Sequence, residues 1–168
     1  MLHTYEPADL DDMTMQEALD AVLADLLDHP ITAPSDSVFT VLRHIDLLCH
    51  LTARAAGDAQ FGLAYDHADA ADQDRVVPLS RAAAHLGRAT AHYTLVLAPI
   101  VTLSKPDAQS TLQKQLDALD MRSQLSVHVH ETLRALSDAR TCLTTPQPPS
   151  GLAVPAPPLP GQQAARLR

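Results

Sequence analysis

The chain has 168 residues, of which 46% are hydrophobic and only 3% aromatic, and it contains no tryptophan. This length predicts one domain with a tail, and a core built from Leu, Ala and Val is typical of packed helices. The formal net charge of −8 argues against nucleic-acid binding, because a phosphate backbone binds basic surfaces.

The N-terminal residues 1–13 are predicted to be a loose acidic leader. A capping box follows, in which the Thr14 hydroxyl accepts from the first turn of a helix and Glu17 reaches back to the cap. The first helix is predicted over residues 15–28. Pro30 closes this segment, since proline cannot continue a helical hydrogen-bond ladder.

The middle of the chain predicts two further helices. The second runs over residues 35–56 and is apolar around most of its circumference, which indicates a central position in the bundle. Gly57 is a plausible helix end, and a loop is expected over 57–77. Pro78 suits the first turn of a third helix, predicted over 78–103 with a kink or end near its Pro99.

The fourth helix is predicted over residues 107–143 and carries two apolar stripes that are offset around its axis. The first stripe consists of Leu112, Leu116 and Leu119. The second has heptad-like spacing and includes Leu125, Val129, Leu136 and Leu143. We expect one stripe to pack inside the bundle and the second stripe to form an assembly seam with a second chain.

The C-terminal residues 144–168 are rich in proline and are predicted to be a disordered tail. Prolines favour the extended polyproline II conformation, which loses little entropy on binding. The tail contains PxxP matches, one of which joins Pro155 and Pro158. Either the tail only keeps the protein soluble, or these prolines bind a protein partner.

A basic stripe is predicted on the third helix. Arg81, His85, Arg88 and His92 recur at spacings of four and three, which places them on one helical face. This face is either a solvated surface or a docking surface for an acidic partner or a phosphate. Protonation of the histidines would strengthen such docking.

The segment from Ser37 to Ile45 resembles the second helix of DinB-like proteins, which are four-helix bundles with a metal held by three histidines. The resemblance implies that His44 is the first metal ligand and that His128 or His130 supplies others. The two later histidines are two residues apart, which turns them to opposite sides of a helix. The spacing of four that is usual in that family is absent.

The order Arg122 then His128 is similar to a motif on a late helix of HEPN domains. Those domains are helical bundles, many of them RNases, in which two chains usually assemble the site. The resemblance implies an RNase-like alternative in which these two residues act together.

We expect an all-α antiparallel bundle of four main helices over residues 14–143. No apolar run approaches the roughly 20 residues that a membrane span needs. Cys49 and Cys142 lack a metal spacing and are expected to be free thiols, which indicates the cytoplasm. The composition is typical of a GC-rich bacterial genome. With no catalytic or cofactor motif, we predict a non-catalytic interaction protein that self-associates and binds a protein partner, with a DinB-like or HEPN-type enzyme as the alternative.

Overall fold

A computed structural model describes residues 4–31, 34–64, 70–104 and 111–144. These ranges contain no strand, so the all-α prediction is confirmed. Four of the helices are long, as predicted for a bundle of four main helices. The helices are α1 (Pro7–Asp11), α2 (Met15–Asp28), α3 (Pro34–Ala64), α4 (Ala70–Thr94), α5 (Leu97–Leu103) and α6 (Leu112–Thr144).

The three longest helices, α3, α4 and α6, lie side by side in antiparallel order, and α2 completes the bundle. Helix α4 lies between α3 and α6, and α2 packs against both α3 and α6. The α4–α6 pairing is antiparallel, because Asp138 lies near His85 whereas Thr132, earlier on α6, donates to the carbonyl of Ala89. Helix α2 begins at Met15 behind the predicted capping box and spans the residues predicted for it.

The core is made almost entirely of leucine, alanine and valine. Leu19, Val22, Leu47, Leu51, Leu86 and Leu136 are among its fully buried members. Tyr93, at 2% exposure, is the one buried tyrosine or phenylalanine of the described ranges. Both phenylalanines of the chain, Phe39 and Phe61, are exposed. Large aromatic rings therefore contribute little to this core, as the composition predicts.

The leader is more ordered than the sequence predicted, because α1 lies within it. Glu6 and Asp9 cap the helix reciprocally, and Leu10 is fully buried in the core. The His50 imidazole lies 2.8 Å from the Asp11 carboxylate, which ties α1 to α3. The prediction of a loose leader overlooked the burial of a single leucine.

The predicted loop over 57–77 is wrong wherever the structure describes it. Helix α3 continues through Gly57 to Ala64, and α4 begins at Ala70. Packing of the two extensions explains the difference, because Ala59 and Val76 are both buried. Residues 65–69 of the predicted loop lie outside the described residues.

The predicted third helix, 78–103, is divided in the structure. Pro78 lies inside α4 and not at its start. The helix is interrupted by a turn at Leu95 and Val96 before α5 begins. Pro99 supplies the physical reason, since it has no N–H to donate to the Leu95 carbonyl one turn earlier. Part of the predicted fourth helix, residues 107–110, lies outside the described residues.

Candidate functional site

A buried carboxylate organises the polar centre of the bundle. Asp25 lies in the last turn of α2, and its side chain is fully buried. Arg43 of α3 donates from Nη1 to Asp25 Oδ1 at 2.9 Å, and its Nη2 lies 2.9 Å from Oδ2. His44 places Nε2 3.1 Å from the same Oδ2. A buried carboxylate requires such partners, because burying an uncompensated charge is very costly.

His44 links this carboxylate to α4. Its Nδ1 atom lies 2.5 Å from the hydroxyl of Tyr93, and the two rings meet edge to face with centroids 5.5 Å apart. Nε2 also lies 3.3 Å from Nη2 of Arg43, so it faces both a carboxylate acceptor and a guanidinium donor, and the tautomer of the imidazole sets the direction of its hydrogen bonds. Asp25, His44 and Tyr93 thus join three helices, and we name them with Arg43 the polar cluster.

Burial controls the protonation of the polar cluster. It lowers the pKa of His44 to about 4, an effect that Asp25 opposes and Arg43 reinforces. Burial also raises the pKa of Tyr93. At neutral pH the histidine is therefore neutral and the tyrosine keeps its proton. Both side chains are at most 2% exposed, so this arrangement holds helices together and presents no open position to a substrate.

The three histidines implied as metal ligands do not come together. Both ring nitrogens of His44 are in contact with Tyr93 and Asp25. His128 is half-buried and packs against His92, whereas His130 is exposed. Across the described ranges, no three His, Cys, Asp or Glu side chains form a group that could hold a metal ion. The geometry thus does not provide the ligand set that the DinB-like resemblance implies.

The HEPN-like pair is also separated within one chain. Arg122 is exposed, and His128 is turned toward α4. Their separation of six residues rotates the two side chains about 120° apart around α6, at roughly 100° per residue. Within one chain the two side chains therefore point to different sides of α6.

The predicted basic stripe on α4 lies beside α6, and some of its side chains contact residues of that helix. Asp138 of α6 lies 3.5 Å from His85 and 3.8 Å from Arg88. The ring centroid of His92 lies 6.1 Å from that of His128. Arg81 alone of the four is exposed without such a contact to α6 among the described residues. Helix α6 therefore borders part of the stripe, and Arg81 and Arg88 remain exposed.

A polar cavity of about 140 Å³ lies where the stripe meets α6. Two arginines and two carboxylates contribute to its lining, so its charges largely balance. The lining residues are Arg88, His92, Glu131, Arg134, Ala135 and Asp138. In the described structure the Nδ1 atoms of His92 and His128 are buried without a hydrogen-bond partner.

An apolar groove of about 290 Å³ opens on the other side of α6. Leu125, Val129 and Leu133 form one wall, and Tyr93 of the polar cluster lies at its base. The opposite wall consists of Leu26, Leu27, Pro30 and Ile31. Leu125 and Val129, predicted to bind a partner, are half-buried at this groove.

The stripe of α6 that was predicted to form the assembly seam packs against the core. Leu136 of the expected assembly seam is fully buried in the core, and Leu143 is half-buried against it. The buried half also includes Thr132, Ala135 and Ala139. The first half carries the exposed apolar side chains, which we name the leucine face: Leu112, Leu116, Leu119 and Val127. Leu136 is therefore a core residue and not a partner contact.

The polar cluster was missed in the sequence, although one signal was present. Asp25 stands three residues after Val22, on the apolar side of α2. A charged residue at a helix position that faces the core indicates that a partner for its charge is buried beside it. Pro155 and Pro158 lie outside the described residues.

Comparison with models of known protein families, with curated proteins and with solved structures finds no match for this chain. None of the described helices combines the length and apolar character that crossing a membrane requires.

Proposed function

We propose that this protein is a non-catalytic interaction protein that self-associates through the leucine face of α6. The main support for this proposal is the exposure of the leucine face to solvent. Leu112 is 73% exposed, Leu116 53% and Leu119 57%. Val127 extends the face by two turns and is 56% exposed.

The spacing of these side chains supports a helix-to-helix contact. Leu112, Leu116 and Leu119 follow one another at four and three residues, the spacing of helices that pair. Leu136 and Ala139 fix the second half of α6 in the core, so the first half is held in place. Contiguous exposed apolar residues mark interaction surfaces. Because most oligomers pair the same patch on two copies, a second copy of the chain fits this face.

Light scattering tests the proposal with a matched pair of variants. We expect the wild-type chain to have an oligomeric mass and L116K/L119K to be monomeric, since pairing would bury the new charges. Leu63→Lys is the control, because Leu63 is 71% exposed but lies at the end of α3. Circular dichroism should show equal helix content in all three. A wild-type chain that stays monomeric at every accessible concentration would refute the proposal.

The proposal also includes a protein partner and a cytoplasmic location. Cys49 and Cys142 are both free, and Cys49 is exposed, which fits a compartment that keeps thiols reduced. Cell fractionation tests the location, and recovery of the chain outside the cytoplasm would contradict it. Capture by the wild-type chain but not by L116K/L119K would show that partner binding depends on self-association.

Metal analysis tests the non-catalytic part of the proposal. The contacts of His44 with Tyr93 and Asp25 leave its ring nitrogens engaged. We expect purified protein to contain no stoichiometric zinc or nickel. A bound metal that is lost in His44→Ala would contradict this, and RNA degradation abolished by His128→Ala would favour the HEPN-type alternative.

A further inference from the structure

We propose that the chain's own proline-rich segment, residues 151–160, binds in the apolar groove between α2 and α6. The segment lies outside the described residues, and the groove is fully described. This contact would be intramolecular and would cover a surface distinct from the leucine face. The inference therefore does not depend on self-association.

The chemistry of the segment matches that of the groove. Residues 151–160 read GLAVPAPPLP and contain no charged and no hydrogen-bonding polar side chain. The groove is lined mainly by leucine, isoleucine, valine and proline, together with Ser126 and Tyr93, and Leu27 is 58% exposed at its rim. Proline-rich peptides dock in apolar grooves because their extended conformation is already formed before binding. Leu152, Val154 and Leu159 are the side chains available to fill the groove.

The length of chain allows the segment to reach the groove. Helix α6 ends at Thr144, and its groove wall, from Leu133 back to Leu125, lies about 17 to 29 Å away along the axis at 1.5 Å per residue. An extended proline-rich chain rises about 3.1 Å per residue. Leu152 can therefore lie about 25 Å from the helix end, and Leu159 about 47 Å. These distances span the groove with length to spare for the reversal of direction.

Covalent attachment to α6 and charge both favour binding of residues 151–160 in the groove. A segment attached to the groove's own wall helix is present at a high effective concentration. All 20 acidic residues precede residue 145, whereas Arg166 and Arg168 are the only charged residues after it. Asp28 is exposed at the end of α2 beside the groove rim. The positive end of the tail is therefore attracted to the acidic body, and to this rim in particular.

A single tryptophan can report on the groove in the full chain, because the natural sequence has none. Leu27→Trp places the reporter at the groove rim. We expect its emission to shift to longer wavelength, and quenching by acrylamide to increase, when L152S/V154S/L159S is added. The control Q147S/Q162S/Q163S introduces the same number of serines outside the apolar residues and should leave both signals unchanged. Leu63→Trp, at the end of α3, should not respond to either set.

Two outcomes would overturn the inference. One is an unchanged Leu27→Trp emission in L152S/V154S/L159S. The other is a shift that appears only as protein concentration rises, which would show that a second copy covers the groove. Hydrogen exchange on the chain without tryptophan provides a second measurement. Peptides covering 26–31 and 125–133 should exchange faster in L152S/V154S/L159S, and equal exchange would again overturn the inference.

Discussion

The hydroxyl of Tyr93 lies 2.5 Å from Nδ1 of His44, 49 positions away in the sequence. This contact turns the other nitrogen of the imidazole toward Asp25, at 3.1 Å. A polar connection therefore crosses a core that otherwise consists of leucine, alanine and valine. Because all three side chains are buried, each depends on the others for its hydrogen bonds.

Replacing Tyr93 by phenylalanine should destabilise the protein by about 1 to 3 kcal/mol, because His44 Nδ1 would stay buried without its hydrogen-bond partner. The ring itself is kept, so packing changes little. Urea denaturation followed by circular dichroism measures the difference in the free energy of unfolding. A variant as stable as the wild type would show that this hydrogen bond contributes nothing.

Replacing Asp25 by alanine should cost about 3 to 5 kcal/mol, because Arg43 would lose its buried partner. Asp20 on the same helix offers a matched control. It pairs with Arg140 at 2.8 Å, but both side chains are at least 38% exposed. Asp20→Ala should therefore cost about 1 kcal/mol or less. Equal losses in the two variants, measured by urea denaturation, would contradict the burial argument.

Stability should fall as the pH drops from 6.5 to about 4. The His44 pKa is lowered to about 4 in the folded protein from an ordinary value of 6.5. In this window the unfolded chain binds a proton that the folded chain excludes, so acid favours unfolding by about 3 kcal/mol in total. His44→Gln should flatten this dependence by up to about 1.4 kcal/mol per pH unit. The exposed His130, changed to Gln, is the control and should leave the slope intact.

Two leucines on α6 should behave oppositely when changed to alanine. Leu136→Ala should lose about 2 to 5 kcal/mol of stability, since the side chain is fully buried. Leu119→Ala should leave the stability of the monomer nearly unchanged and weaken self-association, because its side chain is 57% exposed. Thermal melts at low concentration and light scattering separate the two effects. A larger loss of stability at Leu119 than at Leu136 would contradict the assignment of the two stripes.

The fold class and much of the helix order could be predicted from the sequence, because helical periodicity and the Thr14 cap are local signals. Helix limits near Gly57 and Pro78 could not. There α3 and α4 pack against each other, and Ala59 and Val76 are buried. This packing outweighs the weak helix preference of glycine and proline. Tertiary packing thus overrides the tendency of Gly57 to end a helix and of Pro78 to begin one.

The candidate site was less predictable than the fold. His44 was singled out for metal binding, but its partners Asp25 and Tyr93 come from other helices, and only the packed structure shows them together. For a similar reason, the assembly seam was predicted on the stripe of α6 that packs in the core. Both stripes are apolar, and their spacing alone does not say which one faces α4. Leu136 and Leu119 differ only in what surrounds them.

The ion pair between Asp25 and Arg43 restricts how α2 can lie along the bundle. Apolar packing is non-directional, so contacts among leucine and alanine side chains specify the axial position of a helix less strictly than an ion pair does. A shift of one turn moves a side chain by about 5.4 Å, which would carry Asp25 out of reach of both Arg43 and His44. The buried carboxylate thus sets the axial register of α2, and with it the position of the groove wall that α2 provides.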